Sequence, residues 1–523
     1  LKKRLIMDST RILWVDDEID HLKPHILFLE NKGYIVSLCT NGLDALEYVK
    51  NNQTDIILLD ENMPGLNGIE TLDKLKLHDS SIPIVMITKN EAEEIMEDAI
   101  GRKITDYLIK PVNPNQILIT LKKILKTKNL VEEKTIESYQ KEYINISNSI
   151  QKVSSIEDWV SFYKKMIFWE LELENLEDNG MTDIFKVQMK EANIRFSKFI
   201  ENNYANWIKN SSSNSPVLSN TLFKKKIIPF LNDHNSTLLV LIDNLRLDQW
   251  KTISPIIEEY YKIDKEECYF SILPTSTQYS RNSIFSGMTV SQMEKSYPKW
   301  WKNDFDEGGK NLYENELLKS QINNLNKKIN YSYNKIKSVV AAKKIIQNLS
   351  NYNSNSLNVL VYNFVDMISH AKTEMDIIKE LAPDNKAYRS LTKSWFKNSP
   401  LLDIIKKARD LNFKLIITTD HGTINVQNPI EIRGKKDISL NLRYKYGRSM
   451  SYNQKEVVEI KNPEDYELPK ISFDSSFIFC KNDNYFVYQN NYNHYANHFR
   501  DSFQHGGISM EEMIIPFVTL LPK

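Results

Sequence analysis

The chain has 523 residues, and its 68 Lys plus Arg match its 68 Asp plus Glu, giving a formal net charge of 0. At about 150 residues per domain this length predicts three or four domains, and 41% hydrophobic with 11% aromatic residues excludes wholesale disorder. The charge balance argues against a clamp for duplex DNA, which needs a basic excess.

From 11 to 128, short apolar runs (11–15, 35–38, 55–59, 84–87 and 106–109) alternate with helical patterns, and Pro64, Gly65, Gly68 and Pro111 fall between them. This alternation predicts a doubly wound parallel sheet. From 129 to 235 glycine almost vanishes and apolar residues step by three and four, as in Phe185, Met189, Ala192, Phe196 and Phe199, or Ile156, Trp159, Tyr163 and Met166. That spacing predicts a helical middle domain, with a flexible break at 211–216. From 236 to 523 the α/β pattern returns, with strands expected at 238–242, 358–364 and 414–419, each running into Asp or His. The fold class is therefore a multidomain α/β chain with a helical middle. Three scattered cysteines (Cys39, Cys268, Cys480), no apolar run of about 18 residues and no leader-like segment after the basic start lead us to expect a cytoplasmic protein without membrane spans.

In the first domain Asp16 and Asp17 follow the first strand and Asp60 ends the third. Strand ends of a parallel sheet converge on one crevice, where three carboxylates repel unless a hard cation such as Mg²⁺ joins them. Thr88 and Lys110 add a hydroxyl and an ammonium at the same edge. This set, Asp16-Asp17, Asp60-x-x-Met63-Pro64-Gly65, Thr88 and Lys110-Pro111, resembles the receiver domain of two-component response regulators. The resemblance implies that Asp60 accepts a phosphoryl group, that Asp16 and Asp17 organise Mg²⁺, that Thr88 and Tyr107 form the switch pair, and that Lys110 contacts the phosphate.

In the last domain Asp243 follows one expected strand, Asp366 and His370 lie at i and i+4 after the next, Asp420-His421 follows the third, and His505 sits in Gln504-His505-Gly506-Gly507. Mixed imidazole and carboxylate donors suit two Zn²⁺ ions. Pro274-Thr275-Ser276-Thr277 offers hydroxyls before an expected helix, whose N-terminus favours a phosphate. The ordered set resembles the alkaline phosphatase superfamily, and Ile242-Asp243-Asn244-Leu245-Arg246-x-Asp248-x-Trp250 with Leu273-Pro274-Thr275-Ser276-Thr277 is similar to its PglZ branch. The resemblance implies one zinc on Asp366, His370 and His505, another on Asp243, Asp420 and His421, and Thr277 as nucleophile, with Thr275 as the alternative. Arg281 and Asn282 are candidate phosphate contacts from the following helix. His494 and His498 also stand at i and i+4 but have no carboxylate in register, and Trp300-Trp301 reads as half-buried core or as a base-stacking pair.

A receiver, a helical linker (129–235) and a PglZ effector (236–523) together resemble a family of Bacteroidetes response regulators. That resemblance implies a cognate sensor histidine kinase (PorY-like), phosphorylation-dependent homodimers, and control of type IX secretion and gliding. It also implies partners such as a sigma factor or secretion component, and a zinc-dependent phosphodiesterase acting on nucleotide or oligonucleotide diesters. No helix-turn-helix with a basic recognition helix is evident. The alternatives are a signalling scaffold or transcription-regulating partner-binder with a vestigial phosphatase-like domain, and a monoesterase or sulfatase on the same metals.

Overall fold

The computed structural model describes residues 10–79, 81–89, 104–174, 176, 180–210, 215–231, 235–325, 328–374, 380–434, 438–470 and 472–523, with backbone alone at 126–131 and 370–374. Most of the expected break at 211–216 lies outside these residues, as does the His370 imidazole. The chain forms two compact units, Leu1–Ser138 and Tyr139–Lys523. No described helix is long and apolar enough to cross a membrane.

The first unit is built on five strands, β1 (Arg11–Val15), β2 (Ile35–Cys39), β3 (Ile56–Asp60), β4 (Ile84–Thr88) and β5 (Asp106–Ile109), in the order β2-β1-β3-β4-β5. Every pairing is parallel. β3 and β4 are buried along their whole length, because helices α1 (Lys23–Glu30), α2 (Gly42–Asn51) and α3 (Gly68–His78) supply the crossovers that a parallel sheet requires. α3 starts at a capping box in which the Asn67 side chain and Glu70 satisfy each other's backbone N–H groups.

Helix α4 (Pro114–Lys152) carries the chain onward to α5 (Ile156–Leu173) and α6 (Met181–Lys209). The aromatic stripes expected on these helices pack inward: Trp159 meets Phe196 at 5.2 Å between ring centroids. That packing continues into the last domain, since Phe196 and Trp207 lie 6.3 and 5.8 Å from Phe270. Linker and last domain thus share one hydrophobic core running from Tyr139 to Leu520.

The last domain centres on a six-stranded mixed sheet of β6 (Thr237–Ile242), β7 (Tyr261–Phe270), β8 (Tyr331–Ile336), β9 (Leu357–Tyr362), β10 (Lys414–Thr418) and β11 (Ile514–Pro522), ordered β7-β11-β10-β6-β9-β8. β10, β6, β9 and β8 are parallel, and β11 and β7 are added antiparallel. The strand expected at 358–364 ends earlier, at Tyr362, and Phe364 opens helix α10 (Phe364–Glu374). Smaller sheets lie between 424 and 504 in the chain, and helix α7 (Leu247–Glu258) follows β6.

Candidate functional site

In the receiver unit, Asp16 lies just beyond β1 and Asp60 ends β3, both buried, while Asp17 is exposed. One carboxylate oxygen from each lies within 4.8 Å of the others, a group that could hold a metal. Lys110 donates to Asp16 Oδ2 at 2.9 Å and pairs with Asp60 Oδ1 at 3.0 Å. Burial pushes the Asp60 carboxyl up to about 6, with Asp16 and Asp17 adding to the rise and Lys110 opposing it. The Thr88 hydroxyl at the end of β4 donates to Glu61, a partner the sequence did not single out. Tyr107 is half-buried on β5, opposite Met86 of β4.

In the last domain, three parallel strands deliver their C-terminal ends to one point. Asp243 leaves β6, Asp420 and His421 follow β10, and all three are fully buried with ligand atoms within 4.8 Å of one another. Asn244 turns the chain in the left-handed region, φ 63°. This directs its N–H to Asp420 Oδ1 (3.3 Å) and its amide to Asp366 Oδ1 (3.4 Å) and Ser369 Oγ (3.1 Å) of α10. Asp366 and His505 approach each other at 3.8 Å, and the His505 ring stacks on His421 at 4.3 Å. Five of the six expected metal ligands therefore converge among the described side chains.

Helix α8 (Thr277–Ser286) aims its first residue at this point. The Thr277 hydroxyl donates to Asp243 Oδ1 at 3.2 Å and lies 3.0 Å from His421 Nε2. Thr275, fully buried, is held differently: its hydroxyl donates to the Gly507 carbonyl (2.9 Å) and accepts from the Gly506 N–H (3.1 Å). Arg281, one turn along α8, is buried and bridges Asp243 Oδ2 and Glu314 Oε1, both at 2.7 Å, with Asp420 Oδ2 at 3.7 Å. Glu314 begins helix α9 (Glu314–Asn324) and is also held by Lys335 at 2.9 Å. Sequence reasoning missed Glu314 because it opens a helix and follows no apolar strand that would make a carboxylate conspicuous. Asn282 donates instead to the Gln278 and Lys310 carbonyls. Trp301 is core, and Trp300 stacks on Tyr297 at 4.6 Å. His494 and His498 stack on each other at 6.2 Å and join neither metal group.

The electrostatics of the buried trio call for a cation. Burial pushes Asp420 well up, and the Asp243 charge beside it adds to the rise. Burial also raises Asp243, but Arg281 and His421 outweigh it and leave that carboxyl below its ordinary value. Burial holds the His421 imidazole below its ordinary value, with the Asp243 charge opposing the fall, and the deprotonated ring is the form that ligates a metal. Asp420 Oδ2 is buried without a hydrogen-bond partner, an arrangement that is costly unless a metal completes it. Two carboxylates and a neutral imidazole fit Zn²⁺, and three carboxylate oxygens in the receiver fit Mg²⁺.

Family comparisons match three successive segments of the chain. Residues 12–122 match the response regulator receiver domain, 129–208 the PorX response regulator linker domain, and 222–520 the BREX system PglZ alkaline phosphatase-like domain. The chain belongs to the PglZ alkaline phosphatase-like family and, with its receiver and linker, is a PorX-type response regulator. Curated relatives include the transcriptional regulatory protein ZraR of Klebsiella oxytoca, 35% identical over 25% of this chain and 30% of that protein. ResD of Bacillus subtilis is 30% identical over 23% of this chain and 49% of that protein. The chain thus spans only about a third of the first of these relatives and half of the second. Among solved structures, Vibrio cholerae CheY4 is 29% identical over 22% of this chain and 98% of that one, with a TM-score of 0.21. A two-component response regulator from Clostridium difficile is 29% identical over 23% and 99%, with a TM-score of 0.23.

Proposed function

We propose that this chain is a response regulator whose receiver takes a phosphoryl group on Asp60 from a PorY-like sensor kinase, and whose PglZ domain hydrolyses phosphodiesters of the nucleotide or oligonucleotide class. The functional parts are 11–128, 129–235 and 236–523. Phosphorylation favours a homodimer, and the output is control of type IX secretion and gliding, through a sigma factor or secretion-system component. In the receiver, Lys110 neutralises the incoming phosphate while Thr88 leaves Glu61 to sense it, and Tyr107 follows from the neighbouring strand. Asp60→Asn should abolish phosphoryl uptake from a small-molecule donor such as acetyl phosphate without changing the zinc content of the chain. Phosphorylation of that variant at wild-type level would remove Asp60 from its role.

One observation carries the enzymatic reading: the Thr277 hydroxyl is directed between Asp243 and His421 at the N-terminus of α8. Asp243, Asp420 and His421 would hold one zinc, and Asp366, His370 and His505 a second, supplying Lewis acidity at the phosphorus and a lowered pKa for the nucleophile. Thr277 Oγ loses its proton and forms a bond to phosphorus as the opposite ester bond breaks and an alcohol leaves. The Thr277 proton ends on that alcohol, leaving a mixed phosphodiester of Thr277 and the second alcohol; water then attacks its phosphorus, releasing a phosphomonoester and returning a proton to Thr277 Oγ. The amide ends of α8 favour the anion, and Arg281 keeps Asp243 ionised and oriented. Thr275, with its hydroxyl engaged as both donor and acceptor, supports the loop.

Thr277→Val should lower turnover of bis-p-nitrophenyl phosphate by about three orders of magnitude with zinc content unchanged, and Thr275→Val should lower it less. Unchanged turnover in Thr277→Val would discard the mechanism. A zinc-loaded wild type that hydrolyses neither the diester nor the monoester would favour the scaffold reading.

A further inference from the structure

The linker does more than share a core with the last domain, because one face of α6 bonds to both loops that frame the site. Asn193, Ser197, Ile200 and Tyr204 lie on that face at helical spacing, and all are buried. At one end, the Tyr204 hydroxyl accepts the Leu273 N–H at 2.9 Å, four residues before Thr277. At the other, Asn193 Oδ1 accepts the Met510 N–H at 2.9 Å, five residues after His505, and its amide donates to Glu511 at 3.0 and 3.2 Å. Between them, the Ser197 hydroxyl reaches the Ile508 carbonyl at 3.4 Å. The two loops also touch each other, through Thr275 and the 506–507 backbone and through His505 Nδ1 and the Thr275 carbonyl at 3.2 Å.

We infer that α6 is the positioning helix of the phosphodiesterase site, with Tyr204 as the positioning residue for Thr277 and Asn193 as its counterpart on the His505 loop. The inference rests on the reading of Thr277 given above. A rigid helix bonded at two points about three turns apart, roughly 16 Å by the helical rise, fixes the separation of the two loops. Neither Tyr204 nor Asn193 supplies a metal ligand or touches the reacting atoms. Their effect falls on alignment, where errors of about 1 Å can change rates by two orders of magnitude. A displacement of α6 would therefore alter turnover before it altered metal uptake, so the linker can set activity while the zinc sites stay filled.

Tyr204→Phe removes a single oxygen and keeps the ring stacked on Tyr466, 5.8 Å away. In the zinc-loaded full chain it should speed amide hydrogen exchange across 271–277 and lower kcat for bis-p-nitrophenyl phosphate about tenfold. KM and zinc content should stay within about twofold of wild type. Lys186→Ala, on the exposed side of α6, should change none of these. Unchanged exchange at 271–277 overturns the inference, as does faster exchange with an unchanged kcat, which would make the bond merely structural. A wild type that holds zinc without turning over the diester would instead overturn the reading of the site itself. Should Tyr204→Phe fail to fold, Asn193→Ala tests the other end of α6, where Asn193 Oδ1 accepts the Met510 N–H at 2.9 Å: faster exchange across 505–511 with a lowered kcat supports the inference, and no change in either overturns it.

Discussion

Lys445 shows how one buried charge makes stability depend on pH. Its ammonium lies inside the last domain, donating to the Ser439 carbonyl at 2.9 Å and sitting 4.6 Å from the centre of the Tyr488 ring. Burial pulls its pKa from 10.5 down to about 7, with Cys480 opposing the fall. The unfolded chain therefore binds this proton more tightly, so its contribution to stability rises with pH from about 7 towards 10.5 and is most unfavourable below 7. Lys445→Met should be more stable than wild type at pH 6 by on the order of 2 kcal/mol, with the difference shrinking at pH 9. Calorimetric midpoints at the two pH values measure this, and equal differences at both would refute it. At this scale the candidate ligands were legible in the sequence because Asp243, Asp420 and His421 follow apolar strands, where a polar residue is conspicuous. Glu314, which pairs with Arg281, and Lys335, which pairs with Glu314, were not, because nothing local distinguishes a charge destined for burial.

Among the secondary-structure elements, α3 of the receiver begins in close contact with the phosphoacceptor-candidate strand. A Cβ at Gly68, its first residue, would stand 2.3 Å from the Asp60 carbonyl oxygen and 2.7 Å from the Glu61 Cα. Only backbone surrounds that position, so Gly68→Ala must displace α3 from the phosphoacceptor strand. We expect a loss of about 2 kcal/mol in the receiver and slower phosphoryl uptake, measured as its thermal midpoint and its rate of labelling by acetyl phosphate. A variant matching wild type in both would contradict this contact. The receiver strands were readable in advance because strands covered on both faces form continuous apolar runs. β7 was not, since its sequence Tyr-Lys-Ile-Asp-Lys-Glu-Glu-Cys-Tyr-Phe is an edge strand with a charged face. Its ladder runs along β11, more than 240 residues away. The strand end expected at Phe364 moved to Tyr362 because α10 begins there, bringing Asp366 to the site.

Across the whole molecule, two pockets of carboxylates lie in two separate compact units, and the linker from Tyr139 onward belongs structurally to the second. The sequence divides the chain by composition, whereas packing joins the linker to the PglZ domain through Trp159, Phe196 and Trp207 against Phe270. That union explains why the linker's polar residues matter to chemistry, a point no periodicity could reveal. The central claim is that the PglZ site forms a covalent ester on Thr277. It is tested most directly by acid-quenching the zinc-loaded full chain during turnover of bis-p-nitrophenyl phosphate and locating the adduct by peptide mass spectrometry. The account predicts a phosphoester on Thr277, absent in Thr277→Val; steady turnover with no adduct on that residue, or with the adduct on Thr275, would contradict it.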